Sequence, residues 1–186
     1  ASRHLVPKIH EVENKEDTIP SYVICGGCVF VPLTEAWLLE SLNKERSSDN
    51  NLQVYQRYLQ EQRKGDDQQI IILSHVLADS CNIGYHGFTN MIVTSVNGQR
   101  PITNMHMLMD VLVKKNSGSS IEFRLSNVHV DRAKVVICMN ANEVMESETR
   151  ILSNYGIESW CSGVSSSLRL EAEGKAHRHG APCCLK

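Results

Sequence analysis

Three shortages narrow this chain before any motif is read. Aromatic residues make up only 5% of it, and no apolar run approaches the roughly 20 residues that a membrane-crossing helix needs, so no membrane span is expected. An excess of one charge is also missing, since 19 Lys and Arg are interleaved with 21 Asp and Glu for a net charge of −2. Without a basic face to neutralise phosphates, nucleic-acid binding has no electrostatic support. The opening ASRHLVPKIHEVENKED has neither the apolar core of a signal peptide nor an initiator methionine, so the chain is expected to be a fragment or a processed product. The 7 cysteines lack the regular spacing of a disulfide framework, which favours an intracellular reducing compartment or organelle.

What is present fits one globular domain with extensions: 186 residues, 41% hydrophobic and 22% charged. Residues 1–19 are polar and read as a linker. The apolar run from Tyr22 to Leu33 reads as strand, interrupted by Gly26-Gly27, which imply a bulge in a bent strand or a loop feeding one. Thr34 is placed to cap a helix from about Glu35, with Ala36, Leu38, Leu39 and Leu42 on its apolar face, and a second amphipathic stretch follows from Leu52 to Lys64. Four consecutive bulky aliphatics, Ile70 to Leu73, cannot alternate between core and water, so they predict a central buried strand.

Met91 to Val96 predicts another strand, ending at Asn97-Gly98, the dipeptide best suited to a type I′ turn, after which Ile102 returns. Thr103 or Asn104 caps a helix in which Met105, Leu108, Met109 and Leu112 recur at helical spacing, and Lys114 and Lys115 suit the negative end of its dipole. Strands at Ser120 to Leu125 and Ala133 to Met139 precede a helix capped by Asn140 and ending near Tyr155-Gly156. The composition beyond Ser162 reads as a disordered tail. The expected organisation is therefore an extension at 1–19, a domain at 20–160 with a helical insertion over about 35–65, and a flexible tail at 161–186.

The order of elements from Ile70 to Leu125 is that of the second half of a PDZ fold, and several blocks strengthen the likeness. PSYVICGGCVFVPLTEAWL resembles the opening of the second, C-terminal PDZ-like domain of plant and protist Deg/HtrA-type serine proteases, with Gly27, Val29, Phe30, Pro32, Leu33 and Thr34 fitting G-x-V-F-x-P-L-[TS]. The L-S-x-V-L-A, N-I-G-Y and V-N-G blocks follow in order within residues 70–108, and RILSNYGI closes the match. This resemblance implies an α+β fold, a PDZ-like antiparallel β-sandwich or barrel capped by helices. It implies a non-catalytic module that binds peptide or protein segments, contacts the protease domain and other subunits of a homo-oligomer, and serves proteolysis and protein quality control in the full-length protein.

A peptide in such a domain lies extended between a strand and a helix. The groove residues expected here are Tyr22, Val23, Ile24, Gly26 and Gly27 on the strand side, and Met105, Leu108, Met109 and Leu112 on the helix side. The glycines either present backbone N–H groups to a peptide carboxylate or only permit a bulge. An internal segment, such as residues 1–19, is a candidate to fill the groove as an added strand.

No G-N-S-G-G motif or G-x-S-x-G elbow is present, so no catalytic residue is assigned and the chain by itself should cleave nothing. Cys25-Gly26-Gly27-Cys28 departs from the family pattern. It is read as packed thiols in preference to a redox pair or half of a zinc site, because strand rather than helix follows it and no second ligand pair is spaced to complete a metal site. No metal or cofactor is assigned; His177, His179, Cys183 and Cys184 are read as chance members of the tail. The competing readings are a stand-alone peptide-binding adaptor and a thiol or zinc protein built on Cys25 and Cys28.

Overall fold

The computed structural model describes residues 4–6, 21–44, 58, 60–65, 67–98, 101–114, 119–127 and 134–162. Strand β1 (Tyr22–Cys25) and strand β2 (Cys28–Pro32) form an antiparallel hairpin in which Val23 faces Phe30 and Cys25 faces Cys28. Gly26 and Gly27 are the whole turn, at φ +54 and +80. Positive φ at both positions matches the turn twist to the strand twist, so of the two sequence alternatives the glycine pair makes the loop feeding a strand, as a tight hairpin turn, and not the bulge. Thr34 then accepts the Trp37 N–H at 3.3 Å and starts helix α1 (Glu35–Lys44), as its position predicts.

Strand β3 (Ile71–Val76) is followed by a 3-10 turn (Ser80–Asn82) and strand β4 (Met91–Val96). Asn97-Gly98, at φ +54 and +66, turns the chain as expected, and Asn97 fastens the turn to the next strand by exchanging bonds with Glu122 at 2.7 Å. Asn104, of the two candidate caps, accepts the Met107 N–H at 2.7 Å and opens helix α2 (Met105–Lys114). Strands β5 (Ser120–Asn127) and β6 (Lys134–Asn140) then pair along their length. Asn140 caps helix α3 (Ala141–Asn154) by accepting from Asn142 and Glu143, and the short strand β7 (Cys161–Ser162) follows.

All seven strands of the described residues join one antiparallel sheet in the order β6-β5-β4-β3-β2-β1-β7. Bulges in the pairing at Val29/Phe30 and Val93/Ser95 bend it. Its position in the middle of the sheet explains the aliphatic run of β3. Ile71 and Leu73 enter the main core with Phe30, Leu108, Met109 and Phe123, whereas Ile72 joins a second cluster with Val6, Leu33, Leu38 and Tyr58. Both faces of β3 are covered, so none of its first residues meets water. Helix α1, from the expected insertion, contributes Leu38 to that second cover.

Candidate functional site

Two features define the region where a strand and helix α2 come together. The first is the hairpin turn. Gly26 is so enclosed that an added Cβ would lie 2.9 Å from Met139 and Val144, and one on Gly27 would collide with the Leu77 carbonyl and Asn82. Asn82 is fully buried and satisfies every hydrogen-bonding atom of its amide. Its Nδ2 donates to the Gly26 carbonyl at 2.8 Å and to the Leu77 carbonyl at 2.7 Å, while its Oδ1 accepts from Asp79 N at 3.0 Å. The Gly27 carbonyl accepts the Leu77 N–H at 2.8 Å. The turn is thus a locked structural element, roofed by the 3-10 segment.

The roof is itself pinned to helix α3. Arg150 donates through Nε and Nη2 to the two carboxylate oxygens of Asp79 at 2.9 and 2.6 Å, a bidentate geometry that suits a planar guanidinium. The Arg150 bonds, with help from the Cys81 N–H and Ser80, hold the Asp79 carboxyl well below the usual carboxylate range. Beneath it, Ser147 Oγ lies 3.1 Å from Cys81 Sγ and donates to the Val144 carbonyl at 2.9 Å. Burial raises the Cys25 thiol well above its ordinary value, with Cys28, Glu148 and Cys81 adding to the effect, and burial pushes Cys28 up to about 12. Such thiols stay protonated near neutrality, the reverse of the thiolate that thiol–disulfide exchange demands. Among the described residues no group of three or more His, Cys, Asp or Glu is placed to hold a metal ion.

The second feature is the outer edge of β1. Of the residues expected to line a groove, Val23, Met105, Leu108 and Met109 share the main core, and Leu112 packs against it. Val23, Leu108 and Met109 have no exposed surface, Ile24 and Met105 almost none, and Tyr22 is half-buried. Helix α2 packs against β1. The edge of β1 facing away from β2 carries a strand already, because Tyr22 pairs with Ser162 and Val23 with Cys161, and Ile24 N donates to the Trp160 carbonyl at 2.7 Å. The Tyr22 hydroxyl adds a bond to the Ser159 carbonyl at 2.9 Å. Cys161 is buried in the main core, and Trp160 packs on its margin.

Residues 159–162 were not foreseen as part of this site. A two-residue strand has no alternation to read, and the only signal was a Trp-Cys pair between serines, directly after the α3 helix. Of the N-terminal segment, the described His4 to Val6 lie elsewhere, with His4 bridging Gln62, Leu5 bonding Glu61 and Val6 in the second cluster. Residues 7–19, most of the 52–64 stretch and the His/Cys tail lie outside the described residues.

A strand edge and an amphipathic helix flanking an extended segment define the PDZ class of peptide-binding fold. The PDZ domain family model matches residues 12–164, and the chain belongs to that family. It is 38% identical over 109 residues, 58% of the chain, to the chloroplastic protease Do-like 2 of Arabidopsis thaliana. It is 28% identical over 145 residues, 77% of the chain, to the putative mitochondrial protease Do-like 12 of the same plant, and 34% identical over 94 residues, 50% of the chain, to the putative mitochondrial protease Do-like 3. These relatives bear out the resemblance to the PDZ domain of Deg-type proteases. The chain spans 17%, 23% and 14% of their lengths, respectively.

Proposed function

We propose that this chain is the non-catalytic protein-binding and oligomer-assembly module of a Deg/HtrA-type serine endopeptidase, serving proteolysis and protein quality control in the full-length protein. The observation that supports it best is the β1 edge beside helix α2, which takes an added strand through backbone bonds in the manner of a PDZ ligand. Its partners are extended peptide or protein segments, with the protease domain and neighbouring subunits among them. The residues offered for binding are Tyr22, Val23, Ile24, Gly26 and Gly27 with Met105, Leu108, Met109 and Leu112, of which Val23, Met105, Leu108, Met109 and Leu112 pack together. The buried members set the shape of the edge, while Tyr22 and the backbone of β1 meet the incoming segment.

The test is binding of the purified chain to a library of C-terminal and internal peptides, with light scattering run alongside. Saturable binding by a monomer supports a peptide receptor, and self-association supports the assembly role. A monomer that binds no peptide would defeat the proposal.

A further inference from the structure

Residues 159–162 sit where an added strand would sit, and they are held there lightly. The segment contributes one ladder bond at Ile24, a two-residue pairing and the Tyr22 hydroxyl bond, against the seven-residue pairing of β5 with β6 at the opposite side. Side chains fit the site unequally. Cys161 is only 2% exposed and enters a core already filled by Val23, Phe30 and Met109, so a larger residue there would overpack it. Trp160 covers the core margin, and Ser162 and Ser159 meet β1 through backbone atoms. The alternation of antiparallel pairing places the backbone of Trp160 and Ser162 toward β1 and that of Cys161 away. The Cys161 N–H accordingly bonds to Ser159 Oγ at 3.4 Å.

We propose that residues Ser159 to Ser162 are a built-in competitor for the β1 edge, and that the partner which displaces them is an extended segment carrying an aromatic residue followed by a small apolar one. This rests on the reading of the β1 edge as the binding site. The chain's own segment is then a template for the ligand: an aromatic opposite Ile24, a side chain no larger than cysteine opposite Val23, and a residue with a free N–H opposite Tyr22. Binding in trans exchanges one short strand for another, so no polar backbone group of β1 is left bare during the exchange.

The experiment titrates a fluorescein-labelled synthetic peptide of residues 157–164, carrying Cys161→Ala, into the full chain and into two full-length variants. Trp160→Ala with Ser162→Pro removes the aromatic cover and a ladder N–H from the competitor. Tyr22→Phe removes the hydroxyl that bonds Ser159. The double variant is expected to bind the peptide about tenfold more tightly than the unaltered chain, equivalent to about 1.4 kcal/mol, whereas Tyr22→Phe, which removes the same bond from the competitor and from Ser159 of the peptide, should leave the affinity unchanged. Hydrogen exchange on the unaltered chain gives a readout that needs no variant: saturating peptide should speed exchange of the Ser162 amide. Library peptides that bind all three chains equally, with Ser162 exchange unchanged, would overturn the competitor while leaving the protein-binding reading intact. Failure of every peptide to bind any of the three folded chains, all monomeric, would overturn both.

Discussion

The two edges of the sheet are closed by different means, and the difference separates structure from function. At the β6 edge a side chain does the closing: the Tyr85 hydroxyl donates to the Cys138 carbonyl at 2.8 Å and accepts the Cys138 N–H at 3.3 Å. One tyrosine thereby occupies both backbone groups that an intruding strand would need at that position, a way of blunting an edge against pairing. At the β1 edge the closure is another strand, which satisfies backbone with backbone and can be replaced by an equivalent strand. A side-chain plug forbids pairing, whereas a strand plug rehearses it.

The strongest way to break this arrangement is at the hairpin that carries β1. Gly27→Ala forces a Cβ into the Leu77 carbonyl at φ +80, where backbone cannot yield, and should cost about 3 kcal/mol or more in urea unfolding. Gly26→Ala should cost less, because the atoms it meets are the tips of Met139 and Val144. Equal losses at the two glycines would contradict the view that Gly27 is locked by backbone and Gly26 by side chains. Asn82→Ala removes three bonds at once, at the Leu77 and Gly26 carbonyls and the Asp79 N–H, and leaves the Gly26 carbonyl to the weak Cys81 thiol donor at 3.7 Å. A loss of about 2–4 kcal/mol is expected, by the same unfolding measurement.

A third perturbation is a change of pH. Burial raises the Glu148 carboxyl to about 7, so the folded state holds a proton that the unfolded chain releases in the ordinary carboxylate range. The folded pKa is the higher one, and the contribution to stability is therefore complete below about pH 4.5 and is lost as pH rises through about 7. Glu148→Gln should abolish that slope and stabilise the chain at pH 8 by on the order of 2 kcal/mol. Asp79 works in the opposite sense, since its depressed carboxyl stabilises the fold above the usual carboxylate range and withdraws that support on acidification. Chemical denaturation at pH 2, 4, 6 and 8 separates the two, since Asp79 acts below pH 4 and Glu148 above it; a Glu148→Gln profile matching the unaltered chain would show that Glu148 carries no such strain.

These residues also show what a sequence can and cannot disclose. The Thr34 and Asn140 caps, the central β3 and the Asn97-Gly98 turn were legible because each depends on a few adjacent residues. Gly26-Gly27 stays open between a bulge and a loop in sequence because a bulge and a type I′ turn ask for the same residue, and only the pairing of Cys25 with Cys28 tells them apart. The burial of Asn82 has no local signature, since the carbonyls it serves lie five and fifty-six positions away. The packing of Val23 with Met105, Leu108 and Met109 follows from strand and helix patterns, yet the filling of the β1 edge by residues 159–162 depends on a meeting across 137 positions, as the Tyr22–Ser159 bond measures it.

The smallest expected effect sharpens the comparison of the edges most directly. Tyr85→Phe keeps the ring, and with it the packing against Phe88 at 6.3 Å between centroids, but removes the hydroxyl that serves Cys138. The loss in stability should be about 1 kcal/mol, because Cys138 is exposed and water takes over its backbone groups. The consequence for association should exceed that for folding. Val136 is half exposed on the same strand, and with Cys138 unguarded the β6 edge offers a continuous run for antiparallel pairing with a second copy. Light scattering should then detect concentration-dependent self-association of Tyr85→Phe beyond that of the unaltered chain, insensitive to the 157–164 peptide, which acts at the other edge. Self-association that the peptide reverses would instead place the new contact at β1, and the distinction between a forbidding edge and a receptive one would fall.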